Sequence, residues 1–160
     1  MNQPLSQKTS KTLHVLGWRE WAKLPKLGIS RIKIKVDTGA KTSSIHVSKF
    51  KIYYSNLKPM VRFSVHPLQR NSKLTVQCTA ELIDQRWVKT SSGHSTWRPV
   101  IKTEIQFGSI CFPIELTLAD RDLMGYRMLL GREAIRNRFV VDPSHAYLFG
   151  KPPRKKRKTP

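Results

Sequence analysis

The chain has 160 residues, 39% of them apolar and four of them tryptophan, which fits one folded domain and excludes a wholly disordered polymer. No run of about eighteen apolar residues occurs, so no transmembrane helix and no membrane partner are expected. Thirty Lys and Arg against ten Asp and Glu give a formal charge of +20, a field that draws polyanions such as nucleic acid or an acidic peptide.

In chain order, residues 1–11 are polar and rich in Gln, Ser, Thr and Lys, and they read as a disordered leader. They lack the apolar stretch of a secretory signal, so the expected compartment is the cytoplasm. There Cys78 and Cys111, which have no CxxC spacing, read as buried thiols rather than a disulfide. Histidines at 14, 46, 66, 94 and 145 are too scattered to suggest a metal cluster.

Residues 12–150 carry the domain, and their pattern is mostly β. Arg31-Ile32-Lys33-Ile34-Lys35-Val36 alternates basic and apolar side chains, as a half-buried strand does. Further strands are predicted at Val61–Val65, Leu74–Leu82, Val100–Phe107, Cys111–Leu118 and Phe139–Val141. Asp142-Pro143-Ser144 predicts a turn, and Ala146–Phe149 a last short strand. Arg132–Asn137, just after Gly131, is the one helical stretch. Many short strands between turn residues predict a closed or sandwiched β-fold. Residues 151–160 form a basic tail with six cationic side chains and three prolines, expected to be disordered and able to touch RNA or the ribosome. Taking those six charges from +20 leaves +14 on the rest of the chain.

Asp37-Thr38-Gly39-Ala40 begins where the alternating strand stops. A carboxylate at a rigid strand end is held in place, Thr38 can fix the loop through its hydroxyl, and Gly39 permits a tight turn. A lone Asp-Thr-Gly serves equally well as a simple turn. Met128-Leu129-Leu130-Gly131-Arg132-Glu133-Ala134-Ile135 supplies a second segment, an apolar strand running through Gly into a helix. The order of the two resembles the retropepsin pattern, in which the late apolar strand buttresses the catalytic loop.

Other stretches extend the likeness: Gly17-Trp18-Arg19-Glu20-Trp21, Val65-His66-Pro67-Leu68, Arg98-Pro99-Val100-Ile101, Ile114-Glu115-Leu116-Thr117-Leu118, and Met124-Gly125-Tyr126-Arg127 before Met128. Together with the loop from Val36 to Ser43, they resemble the RimK-associated retropepsin-like peptidases over residues 13–150. That bacterial family was long labelled ATP-dependent zinc proteases. Neither cofactor suits the residues: there is no HExxH, no pair of histidines at i, i+4, and no GxxxxGK[ST] loop. No cofactor and no metal are therefore expected.

The resemblance implies an acid-protease closed β-barrel with one short helix, and an aspartic peptidase working as a homodimer. Asp37 would pair with Asp37 of the partner subunit, with Thr38 and Gly39 shaping the loop. Leu130, Gly131 and Arg132 would support it, and the N-terminal segment and Ala146–Phe149 would supply interface strands. A flap tip is expected at Thr90-Ser91-Ser92-Gly93-His94, with Ser92, Gly93 and His94 at its crest. Ala40, Lys41, Arg86, Lys89 and Arg98 are the candidate substrate contacts, their charges suiting an acidic peptide or a glutamate-tailed protein. RimK itself adds glutamate tails to a ribosomal protein, which makes such tails the implied substrate. The competing expectation is a non-catalytic basic module that binds RNA or the ribosome.

Overall fold

The computed structural model describes residues 11–120 and 125–151. The predicted leader up to residue 10, the tail from residue 152, and Met124 lie outside the described residues. Among the described residues, eleven strands and one short α-helix follow in order: β1 (His14–Gly17), β2 (Arg19–Leu24), β3 (Ile29–Asp37), β4 (Ser43–His46), β5 (Lys49–Ser55), β6 (Lys58–Val65), β7 (Val76–Lys89), β8 (Ser95–Phe107), β9 (Ile110–Ala119), β10 (Met128–Gly131), α1 (Arg132–Ile135) and β11 (Phe139–Asp142), with one 3-10 turn (Pro25–Leu27) between β2 and β3. The fold is mainly β, and among the described residues no helix is long and apolar enough to cross a membrane.

Alternation builds the strands. In β3, Ile32 and Ile34 are fully buried while Arg31, Lys33 and Lys35 face outward. β5 and β6 are joined by Asn56-Leu57, both at positive φ (49° and 63°), the two-residue hairpin turn whose twist matches that of the strands.

The large sheet runs β2-β3-β10-β4-β9-β8-β7-β6-β5, and β2 also pairs with β8 at Lys23 and Gln106. Six strands thus close into a ring, from which β7, β6 and β5 continue outward. Its core includes Ile32, Ile34, Ile45, Ile101, Ile105, Leu116, Leu118, Met128 and Leu130. Burying such a set is the main favourable term, at roughly 1.5–3 kcal/mol per large aliphatic side chain. One arrangement positions the site: β10 lies between β3, to which it is parallel, and β4, to which it is antiparallel. The connection from β3 to β4 therefore loops around the end of an apolar strand that comes ninety residues later in the chain.

Several expectations are corrected. The strand predicted at Leu74–Leu82 begins at Val76 and runs on to Lys89. Helix α1 stops at Ile135 instead of Asn137, because Arg136 turns extended and Asn137 takes φ 63°. Ala146–Phe149 forms no strand. Its Leu148 and Phe149 N–H groups donate to the carboxylate of buried Glu20, at 3.0 and 3.2 Å, so no sheet ladder claims them. Within the chain, β1 pairs in parallel with β11. Cys78 is buried, but Cys111 is exposed, since alternation in β9 turns Phe112 inward and Cys111 out.

Candidate active site

Asp37 ends β3, half-buried, directly opposite Gly131 of β10. Its Oδ1 accepts hydrogen bonds from Gly39 N (3.1 Å) and Ala40 N (3.2 Å), which fixes the carboxylate against its own turn. Among the described residues, Oδ2 takes no hydrogen bond, so one oxygen is anchored and the other is open to chemistry.

The loop is held from outside as well. The first N–H groups of a helix have no partner within it, and here they find the loop: Arg132 N donates to Ala40 O (2.7 Å) and Glu133 N to Lys41 O (3.0 Å). The Arg132 side chain adds Nη1 to Thr38 O at 2.8 Å. Gly131 N donates to Ser43 Oγ at 3.0 Å, and Leu130 beneath it is fully buried.

Asp37 opens into a groove of about 1820 Å³ that it shares with the β7–β8 hairpin. The hairpin tip is closed by Thr90 N to His94 O (2.7 Å) and Gly93 N to Thr90 O (2.9 Å). Ser92 lines the groove, whereas Gly93, His94 and Thr38 do not. Ala40, Lys41, Arg86, Lys89 and Arg98 all line it, so the structure gathers every predicted substrate contact around one cavity.

Their environments differ. Arg86 is already neutralised by Asp84 (2.6 Å) and Glu115 (2.8 Å). Those hydrogen bonds raise its pKa, and the Arg86 side chain, followed by the Gln85 N–H, holds the Asp84 carboxyl below its ordinary value. Arg98, placed by sequence among the surface charges of the cleft, is only 7% exposed. Its Nη1 donates to Ser44 Oγ (3.2 Å) and its Nε to Thr96 Oγ1 (3.0 Å), while Ser44 is bonded in turn to Thr117 Oγ1 (2.7 Å). Sequence reading missed this cluster of hydroxyls, although the run Thr42-Ser43-Ser44 straight after the Asp-Thr-Gly loop was its signal. It missed three further lining cations too, Lys11, Arg136 and Arg138. With them the lining counts seven cations against the carboxylates of Asp37, Glu115 and Glu133. Among the described residues no group of three or more His, Cys, Asp or Glu is placed to share a metal ion.

A family model described as "Retropepsin-like aspartic endopeptidase RimB" matches residues 15–152. The chain belongs to the RimB-like family. That assignment agrees with the strand, loop and groove just described, and with the resemblance read over residues 13–150. Curated relatives named "Probable alpha-L-glutamate ligase" are 44% identical over 136 residues in Shewanella pealeana and 43% over 144 residues in Desulfotalea psychrophila. These matches cover 85% and 90% of this chain, which spans only 30% of the length of those relatives. A solved structure from Legionella pneumophila, of a protein of unknown function, is similar with a TM-score of 0.72 at 27% identity. The match covers 86% of this chain and 99% of that one. RimB-like membership therefore describes the fold of nearly the whole described body.

Proposed function

We propose that the chain is an aspartic endopeptidase that pairs Asp37 with Asp37 of the partner subunit and cleaves acidic, glutamate-rich peptides or glutamate tails. The observation that carries this reading is a carboxylate anchored through one oxygen, with the other open, lining a basic groove that it shares with the β7–β8 hairpin. Peptide hydrolysis of this type needs two carboxylates. One takes a proton from the attacking water while the other protonates the scissile carbonyl, and the roles then reverse as the amine leaves. A single Asp-Thr-Gly per chain supports a two-fold dimer. Exposed Val15 and Val140 on the β1–β11 pair, with Leu13 just before it, offer it an apolar face. No metal and no nucleotide enter this mechanism.

Substrate charge is read by the groove. Lys41 and Lys89 reach it from exposed positions and Arg98 from its floor, so carboxylate side chains gain charge-assisted hydrogen bonds there. Relatives named as glutamate ligases support the same substrate class, since a segment carried on a glutamate-adding enzyme meets glutamate-rich chains. We place this activity in the cytoplasm.

The test compares a glutamate-tailed peptide with a neutral one of equal length. Hydrolysis selective for the former, lost in Asp37→Asn with the circular dichroism melt unchanged, is the expected result. Full activity in Asp37→Asn, or equal cleavage of both peptides, overturns the mechanism or the substrate class respectively.

A further inference from the structure

The outer face of β2 and β3 is covered by cations, and none of Arg19, Trp21, Lys23, Arg31, Lys33 and Lys35 lines the groove around Asp37. Arg19 lies directly opposite Lys35, and Trp21 opposite Lys33. Lys23, Arg31 and Lys151 border the same face around a recess of about 250 Å³, which Trp21 and Phe149 also line. Like charges placed across a strand pair destabilise it. Between Arg19 and Val36 the one acid is Glu20, which is buried and bonded to the backbone N–H groups of Gly17, Leu148 and Phe149. Among the described residues, Arg19, Lys23, Arg31, Lys33, Lys35 and Lys151 make no ion pair.

Aromatic rings are interleaved with these charges. The Arg19 guanidinium sits 4.5 Å from the Trp18 ring and 5.0 Å from that of Tyr147. The Lys33 ammonium lies 5.3 Å from Trp21, and that of Lys151 lies 5.4 Å from Tyr147. Trp18, Trp21 and Tyr147 are only half-buried, so part of each ring stays open. Arg19 Nε is a buried donor without a partner among the described residues. The recess falls just below the roughly 300–1,000 Å³ of drug-sized sites, which suits a single flat base better than a folded partner.

We propose that this face binds single-stranded RNA, with Arg19, Arg31, Lys33 and Lys35 against phosphates and Trp21 and Tyr147 as stacking platforms. Cations that track a backbone beside rings that accept bases form the recognition mode for single strands. An acidic peptide would satisfy the charges but bring no base to stack.

The test measures fluorescence anisotropy of a labelled oligouridylate with the full chain over a range of salt. Arg31→Gln/Lys33→Gln/Lys35→Gln removes three outward charges. It should weaken binding at least about tenfold at low salt and flatten the log–log salt slope by about 2, from roughly 0.7 per phosphate contact. Trp21→Ala should cost about tenfold, the value of one stacked base. Asp37→Asn should bind RNA like the wild type, which separates this proposal from the peptidase reading. Neutralising Arg154 to Lys158 should leave the Trp21 dependence in place. Wild-type affinity in the triple variant overturns the proposal. So does equal capture of poly-glutamate or phosphatidylserine vesicles with the same residue dependence, because the face would then select charge alone.

Discussion

Gly131 lies directly across the β3–β10 pair from Asp37, and a Cβ added to it would stand 2.5 Å from the carbonyl carbon of Thr42. Backbone atoms cannot yield as the end of a long side chain does, so the loop itself would have to move. Gly131→Ala should cost about 1–3 kcal/mol in urea unfolding, as overpacking does. It should also lower kcat/KM for the glutamate-tailed peptide by at least about tenfold, since the carboxylate is displaced. A variant with wild-type stability and turnover would show that the loop is not braced here.

Arg132 should separate activity from stability. Its exposed side chain holds Thr38 O at 2.8 Å, and a single exposed hydrogen bond is worth about 1 kcal/mol at most. Arg132→Ala is therefore expected to shift the unfolding midpoint little while reducing hydrolysis about 10–100-fold, because catalytic geometry tolerates little drift. Equal losses in both measurements would make the residue merely structural.

Glu20 should behave in the opposite way. Its buried carboxylate accepts from Gly17 N at 2.8 Å, Leu148 N at 3.0 Å and Phe149 N at 3.2 Å. Removing the acceptor leaves three donors to find water or stay unpaired, at about 1–3 kcal/mol for each group that remains buried. Glu20→Ala should lose about 3 kcal/mol or more, and hydrogen exchange at residues 148 and 149 should accelerate. Slow exchange there in the variant would disprove the pinning role.

Asp142 predicts an acid limb of stability. Ser144, through its hydroxyl and its N–H, and then His145 hold its pKa down to about 2. A carboxylate whose folded pKa is depressed contributes stability that is present above its unfolded value, near 4, and lost as pH falls through the folded value. The melting temperature should therefore decline between about pH 4 and pH 2. Asp142→Asn, already low at neutral pH, should show less of that decline; an identical pH profile would remove Asp142 as its source.

The two thiols should react differently. Burial pushes Cys78 up to about 11, while Cys111 is exposed on β9. An aromatic disulfide reagent at mildly alkaline pH should titrate one thiol in the native protein and two after unfolding. Two fast thiols in the native state would contradict the packing around Cys78.

What could be read from sequence was local. The alternation in β3, the Asp-Thr-Gly turn and the apolar strand entering α1 each lie within a few consecutive residues, and the structure joins them at the pair Asp37 and Gly131. What escaped was settled by distant partners. Apolar Ala146–Phe149 reads as a strand until Glu20, far upstream, takes its donors. Arg98 reads as a surface cation until the hydroxyls of Ser44 and Thr96 are seen to admit it to the interior. Cys111 was an avoidable error, since the period of two in β9 already turned it toward solvent.

The position of β10 also sets a timetable for the newborn polypeptide. Because Met128–Gly131 must slide between β3 and β4, those two strands lack their shared neighbour until residue 131 has been synthesised. Contacts that far apart in sequence form late. A nascent chain still on the ribosome would thus carry Asp37 in an unformed cradle until Met128–Gly131 is threaded between β3 and β4.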